Sequence, residues 1–439
     1  MRVQIAEADW NPYAGLPVGI QIGFAIALMV TLLAFVDLVV LRVNAGRAER
    51  RIDGLHDGPQ ESQFLWVFLV PALNEEVTIA DSVSRLREVE ATHALAIVID
   101  DGSDDATPQV LSAMDDPLVR VLRRDLPMAR QGKAEALNAA WRHLHDHVLT
   151  SPDHAHWSAS EVIVGIVDAD GRLDPAAPER VVRHLADPAV GGVQIQVRIY
   201  NRQRVLARAQ DVEFAIFGLV YQLGRAFWGT ANMGGNGQFN RLAALDDIAG
   251  PAGPWRSRLT EDQDVGLRLI AAGWRNSHEP HASVAQQGLP QLRPLLRQRT
   301  RWAQGNWQAL QLMSTVGRAE ITFLARVDLL LYLLMPILQM VSAAALVTAV
   351  VLAVVQDVPF YTAAWPILLF FLGTTLGPGL VALMVRGHGV RGFLTALLLV
   401  LPYTCYSWLT FLAVLRALGR QVVGRGSWAK TKREPLVRG

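Results

Sequence analysis

The chain has 439 residues, 51% of them hydrophobic and 18% charged, with a mean hydropathy of +0.23 and a net charge of +1. That balance excludes a nucleic-acid partner, which needs a basic face, and falls below the roughly one-quarter charged residues of a soluble domain. Cys405 is the only cysteine, so an intrachain disulfide and a thiolate metal cluster are both excluded, and the histidines show no metal-ligand spacing.

In chain order, residues 1–16 are expected outside the cell. Pro17 to Leu41 is an apolar stretch of roughly 25 residues, enough to cross about 30 Å of hydrocarbon as a helix. Asp37 near its end sits where an interface tolerates charge. Arg42, Arg47, Arg50 and Arg51 follow, whereas Glu7 and Asp9 precede, which places the following residues in the cytoplasm. A cleaved signal peptide would have a basic start and a shorter apolar core, so an uncleaved plasma-membrane anchor is expected.

Residues 42–322 alternate strand-like and helix-like patterns, predicting an α/β domain with a mostly parallel sheet. Leu65 to Val70, Leu95 to Ile99 and Val162 to Val167 are continuous apolar runs that stop at Pro71, Asp100 and Asp168. Ligands of open α/β sheets collect beyond the carboxyl ends of strands, so these ends point to one shared site. Asn74 and Glu75 follow the first run, where Asn74 also reads as a helix cap. Asp100-Asp101-Gly102-Ser103 also reads as a turn. Gly132-Lys133-x-x-Ala136-Leu137-Asn138 lacks the P-loop pattern, and Lys133 also reads as a solvated lysine at a helix start.

Asp168-Ala169-Asp170 places two carboxylates at i and i+2, which on an extended backbone share a face and suit a hard divalent cation bridging to phosphate oxygens. Met233 to Phe239, with Gly234, Gly235 and Gly237, is too glycine-rich for a regular element, and glycine permits close approach to a ligand. Thr260-Glu261-Asp262 opens a helical run in which Thr260 reads as the N-cap. In Gln298-Arg299-Thr300-Arg301-Trp302, Arg301 offers a planar fork to an anion and Trp302 a flat aromatic face. The segments 205–228 and 289–312 also read as amphipathic helices lying in the headgroup plane.

Apolar segments follow at 329–355, containing Pro336, at 365–385, broken by Gly373, Gly377, Pro378 and Gly379, and at 393–415. Three crossings would put the basic tail 416–439 outside, against the positive-inside rule. A re-entrant 365–385 resolves the conflict and leaves the tail cytoplasmic.

Taken together, Asp101, Asp168-x-Asp170, Thr260-Glu261-Asp262 and Gln298-x-x-Arg301-Trp302 resemble the D, DxD, TED and QxxRW series of membrane-embedded family 2 glycosyltransferases, the cellulose, chitin and hyaluronan synthases among them. The resemblance covers roughly residues 65–310. It implies a GT-A-type α/β domain inserted between transmembrane helices and an inverting transfer from a UDP-sugar, glucose or N-acetylglucosamine. It assigns Pro71, Asn74, Glu75, Asp100, Asp101, Lys133, Asp168, Gln298 and Arg301 to the donor nucleotide. Asp170, supported by Asp168, holds Mg²⁺ or Mn²⁺. Asp262 is the general base, and Gly235, Asn236, Glu261 and Trp302 face the acceptor. A growing β-linked polysaccharide threaded across the bilayer is the implied acceptor, with single addition to a membrane lipid as the alternative. Partners for export are left open.

Overall fold

The computed structural model describes residues 15–55, 58–114, 116–355 and 389–424. The expected segment 365–385, most of the N-terminus and the tail beyond Gly424 lie outside them. Eight strands form one sheet: β1 Leu65–Ala72, β2 Ala94–Asp100, β3 Val119–Arg123, β4 Val162–Ile166, β5 Arg172–Leu173, β6 Val190–Ile199, β7 Gln238–Arg241 and β8 Arg275–Gln286, in the order β3-β2-β1-β4-β7-β6-β8-β5. The pairs β3–β2, β2–β1, β1–β4 and β6–β8 are parallel; β4–β7, β7–β6 and β8–β5 are antiparallel.

The helices are α1 Val18–Asp53, α2 Ile79–Leu86, α3 Thr107–Ser112, α4 Lys133–His143, α5 Ala177–His184, α6 Val205–Ile216, α7 Leu223–Ala226, α8 Leu242–Asp247, α9 Glu261–Ala271, α10 Leu292–Ala309, α11 Met313–Arg318, α12 Phe323–Val355 and α13 Gly389–Val422. The apolar run of β1 is continuous because both of its faces are covered. Trp66, Phe68 and Val70 join a core with Ile79 and Val83 of α2 and Val181 of α5. Leu65, Val67 and Leu69 join another with Leu137 of α4 and Val265 of α9.

Strand order reverses at β1, which pairs with β2 on one side and β4 on the other, and the crevice past the carboxyl ends opens there. Register brings Ala72 beside Asp100 and Leu69 beside Ile166, so the residues following the three strands are neighbours. The antiparallel β7 then delivers the loop before it, Met233 to Gly237, to the same edge.

Among the described residues, Val18–Asp53 and Phe323–Leu352 are long and apolar enough to cross a membrane. The first contains the segment expected over 17–41 except Pro17 and runs on without a break to Asp53. The expected 393–415 lies inside α13, which is not one of the two. Val18, Met29 and Val36 on α1 and Val347 and Val354 on α12 are exposed. The expected amphipathic segment 205–228 is α6, a π-helical turn over Phe217–Gln222, and α7. That over 289–312 is α10 followed by a short 3₁₀ turn.

Candidate active site

One cavity of about 650 Å³ takes in the ends of β1, β2 and β4, the start of α9, the middle of α10 and the facing sides of α1, α12 and α13. Of the residues expected to form the site, Pro71, Glu75, Asp101, Lys133, Asp168, Asp170, Asn236, Glu261, Asp262, Gln298, Arg301 and Trp302 all line it.

Asn74 and Asp100 do not line it; their side chains brace the loops around it. Asn74 has a left-handed backbone (φ 55), its N–H donates to Ser103 Oγ at 2.9 Å, and its Oδ1 accepts Asp104 N–H at 2.9 Å. Asp100 is 1% exposed, accepts Ser103 N–H at 2.9 Å and pairs with Arg123. Asp101 lines the cavity and pairs with Arg124. Burial raises its carboxyl above the usual range, with Arg124 opposing.

Lys133 is the first residue of α4, after Gly132 at φ +115. Its Nζ donates to Asp168 Oδ1 at 2.6 Å and lies 3.9 Å from Glu261 Oε1. Burial favours the neutral amine, but the carboxylates of Asp168 and Glu261 outweigh it and raise the lysine further. Asp168 and Asp170 leave β4 through a tight turn closed by Gly171 N–H to Asp168 O at 2.6 Å, not on the extended backbone expected of them. The strand ends at Ile166, and the turn still directs both residues to the cavity. Asp168 N–H donates to Asn236 Oδ1 at 3.1 Å, and Asp170 Oδ2 accepts Gln287 N–H at 3.0 Å.

No three His, Cys, Asp or Glu side chains converge as a metal cage among the described residues. Two neighbouring carboxylates nevertheless fit a hard cation, which takes one or two carboxylates and completes its shell with other oxygen ligands and water.

Glu261 and Asp262 open α9, where the helix dipole favours carboxylates. Thr260 occupies the N-cap position without capping: its hydroxyl meets Gln263 Oε1 at 3.1 Å. Asp262 Oδ1 accepts Gln263 N–H at 2.8 Å. Burial raises the Asp262 carboxyl, with Lys133 and Arg301 opposing. Burial and the charge of Asp262 push Glu261 up to about 7. Gly235, at φ +80, sits against this pair: a Cβ there would lie 2.9 Å from Asp262 Oδ2 and 3.4 Å from Lys133 Nζ.

On α10, the Nε of Arg301 is buried without a hydrogen-bond partner among the described residues, as suits a group that meets an anion. Trp302 is held edge-on to Phe214 (centroids 6.2 Å apart) with the Arg299 guanidinium 4.0 Å over its ring. Arg299 pairs with Glu213 of α6 and donates to Tyr406 Oη of α13 at 3.1 Å; Tyr406 donates to Glu213 at 2.7 Å. Sequence reading passed over this tie. The i, i+3 spacing that puts Arg299 and Trp302 on one helix face was its only local signal. It also passed over Gln286, and it expected Asp37 at the membrane interface, whereas Asp37 lines the cavity.

Residues 163–415 match the family model described as glycosyl transferase family group 2, and residues 67–248 one described as glycosyl transferase family 2. A β-monoglucosyldiacylglycerol synthase of Synechocystis sp. is 30% identical over 275 residues, 61% of this chain and 53% of that protein. A poly-β-1,6-N-acetyl-D-glucosamine synthase of Staphylococcus aureus is 29% identical over 246 residues, 55% of each. The chain thus spans about half the length of the curated relatives it matches. A mannosyltransferase from Pyrobaculum calidifontis, solved in complex with GDP-Man and Mn²⁺, superposes with a TM-score of 0.55 at 19% identity, over 92% of this chain and 99% of that one. That likeness shows the GT-A fold of the α/β domain. With a family model matching more than half its length, the chain belongs to glycosyl transferase family group 2.

Proposed function

We propose that the protein is an inverting glycosyltransferase that moves glucose or N-acetylglucosamine from a UDP-sugar to a hydroxyl presented from the membrane. The continuity of the cavity carries this reading: the nucleotide-side residues Asp101 and Lys133 and the inward sides of α1, α12 and α13 line one space, with Asp262 and Trp302 between them. The exposed apolar sides of α1 and α12 suit a bilayer, and the arginines after Leu41 suit a cytoplasmic catalytic domain on a multi-pass plasma-membrane protein.

Asp101 contacts base and ribose, in a subsite shaped by Pro71, Asn74, Glu75 and Asp100. Lys133, Gln298 and Arg301 meet the diphosphate. Asp170, supported by Asp168, would hold Mg²⁺ or Mn²⁺, which would supply neutralisation of leaving-group charge. Asp262 takes the proton of the acceptor hydroxyl while its oxygen bonds to the anomeric carbon and the carbon–diphosphate bond breaks on the opposite side. Configuration inverts in one step, without a covalent intermediate. Glu261, Gly235, Asn236 and Trp302 hold the acceptor.

The wall on α12 runs from Leu331 to Ser342, about 16 Å of helix at 1.5 Å per residue, or about half a 30 Å hydrocarbon layer. Leu331, Met335 and Leu338 on it, and Val30 and Ala34 opposite, are apolar. Both features favour a lipid-borne acceptor receiving one sugar, and the diacylglycerol-modifying relative agrees. Gln339 and Ser342 on α12 with Ser407 and Thr410 on α13 favour a second reading, a growing β-linked polysaccharide passed across the membrane.

The test is product analysis: full-length protein in diacylglycerol-containing vesicles with radiolabelled UDP-glucose or UDP-N-acetylglucosamine. A solvent-extractable lipid carrying one sugar supports the first reading, and a high-mass, water-soluble product the second. No UDP release with either donor sinks both.

A further inference from the structure

We propose that Gln286 is a hydrogen-bond donor to the transferred sugar of the nucleotide donor, a contact outside the D, DxD, TED and QxxRW series. The inference rests on the UDP-sugar reading above and adds where the sugar sits. Gln286 closes β8, is 7% exposed and lines the cavity together with Asn236, Asp168 and Asp170.

The orientation of its amide is fixed by a chain of bonds that begins at a backbone group. Asp168 N–H can only donate, and it does so to the side-chain oxygen of Asn236 at 3.1 Å. The other end of that amide, Nδ2, therefore donates, and it meets Gln286 Oε1 at 2.9 Å. Gln286 is left presenting Nε2, and no hydrogen bond from it is found among the described residues. An amide donor at the wall of the cavity is matched by an oxygen acceptor on a bound ligand.

Topology says which part of the ligand supplies that oxygen. In the sheet order β2-β1-β4-β7-β6-β8, Asp101 follows β2, Asp168 and Asp170 follow β4, and Gln286 closes β8. With the nucleoside at Asp101 and the diphosphate at Asp168 and Asp170, the sugar extends towards β8. The next residue, Gln287, donates its N–H to Asp170 Oδ2 at 3.0 Å, which ties this strand end to the diphosphate subsite. The ligand group is a hydroxyl of the hexose or the carbonyl of its N-acetyl substituent.

The test is calorimetric titration of the full-length protein with UDP, UDP-glucose and UDP-N-acetylglucosamine in the presence of Mn²⁺, for wild type, Gln286→Met and Gln286→Ala. Met keeps the length of the side chain, and Ala covers the case in which Met packs badly. UDP affinity is expected to stay within twofold of wild type, while affinity for at least one UDP-sugar falls roughly tenfold, the worth of one hydrogen bond. Equal losses for UDP and both UDP-sugars overturn the proposal, because Gln286 then acts only by bracing Asn236. Unchanged affinity for every ligand overturns it too, since water then suffices as the partner. A wild type that binds no UDP-sugar sinks the donor reading itself, a failure distinct from either result.

Discussion

Gly235→Ala tests the transfer centre with a single added methyl. The backbone at Gly235 has φ +80, and the new Cβ would sit 2.9 Å from Asp262 Oδ2, where ordinary contact begins at 3.4 Å. A left-handed backbone at a non-glycine residue costs about 1–2 kcal/mol, a fall in melting temperature of roughly 2–6 °C for a domain of this size. The backbone is held by Asn236 N–H to Gly234 O and Gln238 N–H to Gly235 O, so the carboxylate is the part that yields. Relief of the contact takes about 0.5 Å, and since a 1 Å misplacement costs about a hundredfold, turnover should fall roughly tenfold, or about 1.4 kcal/mol in the barrier. The assay is UDP release at saturating donor and acceptor, paired with a thermal melt and a UDP titration. UDP affinity should hold, because the nucleoside subsite at Asp101 is not touched. A variant with lowered melting temperature but wild-type turnover would refute the reasoning: the base would then act from somewhere other than the Asp262 position.

Asp262→Asn keeps the shape of the side chain and removes the base, so transfer should drop by roughly 10²–10⁴ with UDP binding retained; normal turnover places the base elsewhere. EDTA, or Asp170→Ala, should abolish transfer, because the two aspartates supply only part of a cation's shell; full activity in EDTA, read as UDP release, excludes the metal. Trp302→Ala should reduce transfer to acceptor more than hydrolysis of the donor by water, measured as acceptor-linked product against released UDP; equal losses make Trp302 structural. Glu261, raised from 4.5 to about 7, is favoured in its neutral form by the fold. Its stabilising contribution is therefore complete below pH 4.5 and lost as pH rises through about 7. Melting temperatures of Glu261→Gln should accordingly decline less than wild type between pH 5 and 8.

The strands and the acidic residues at their ends were legible because burial on both faces writes an unbroken apolar run, and the residue that ends the run marks the crevice. Asp101, Lys133, Asp168, Asp170, Asp262, Arg301 and Trp302 are scattered over some 200 positions, yet all line one cavity. Asp100 and Asn74 look identical in the sequence whether they face a ligand or brace a loop; the partners that decide, Arg123 and Asp104, are set by tertiary contact. The DxD pair was expected on extended backbone because strand signals ran to Val167, whereas the chain turns directly afterwards. Gln286 carried no signal, since its meaning depends on Asn236, 50 residues away.

The tie between Arg299, Glu213 and Tyr406 has an architectural consequence. It fastens α10 to α6 within the α/β domain and to α13 beyond it, and Leu295 and Ala303 of α10 pack with Tyr406 and Val414 of α13. The indole of Trp302 keeps its pose through Arg299, so the wall proposed to meet the acceptor is co-owned by a helix outside the α/β domain. Away from that wall, the cavity is lined by Asp101 and Asp168 after strand ends and by Lys133 at the start of α4. On the proposed reading, the nucleoside contacts at Asp101 belong to the α/β domain, whereas the pose of Trp302, and with it the neighbouring Gln298 and Arg301 of α10, follows every tilt or shift of α13.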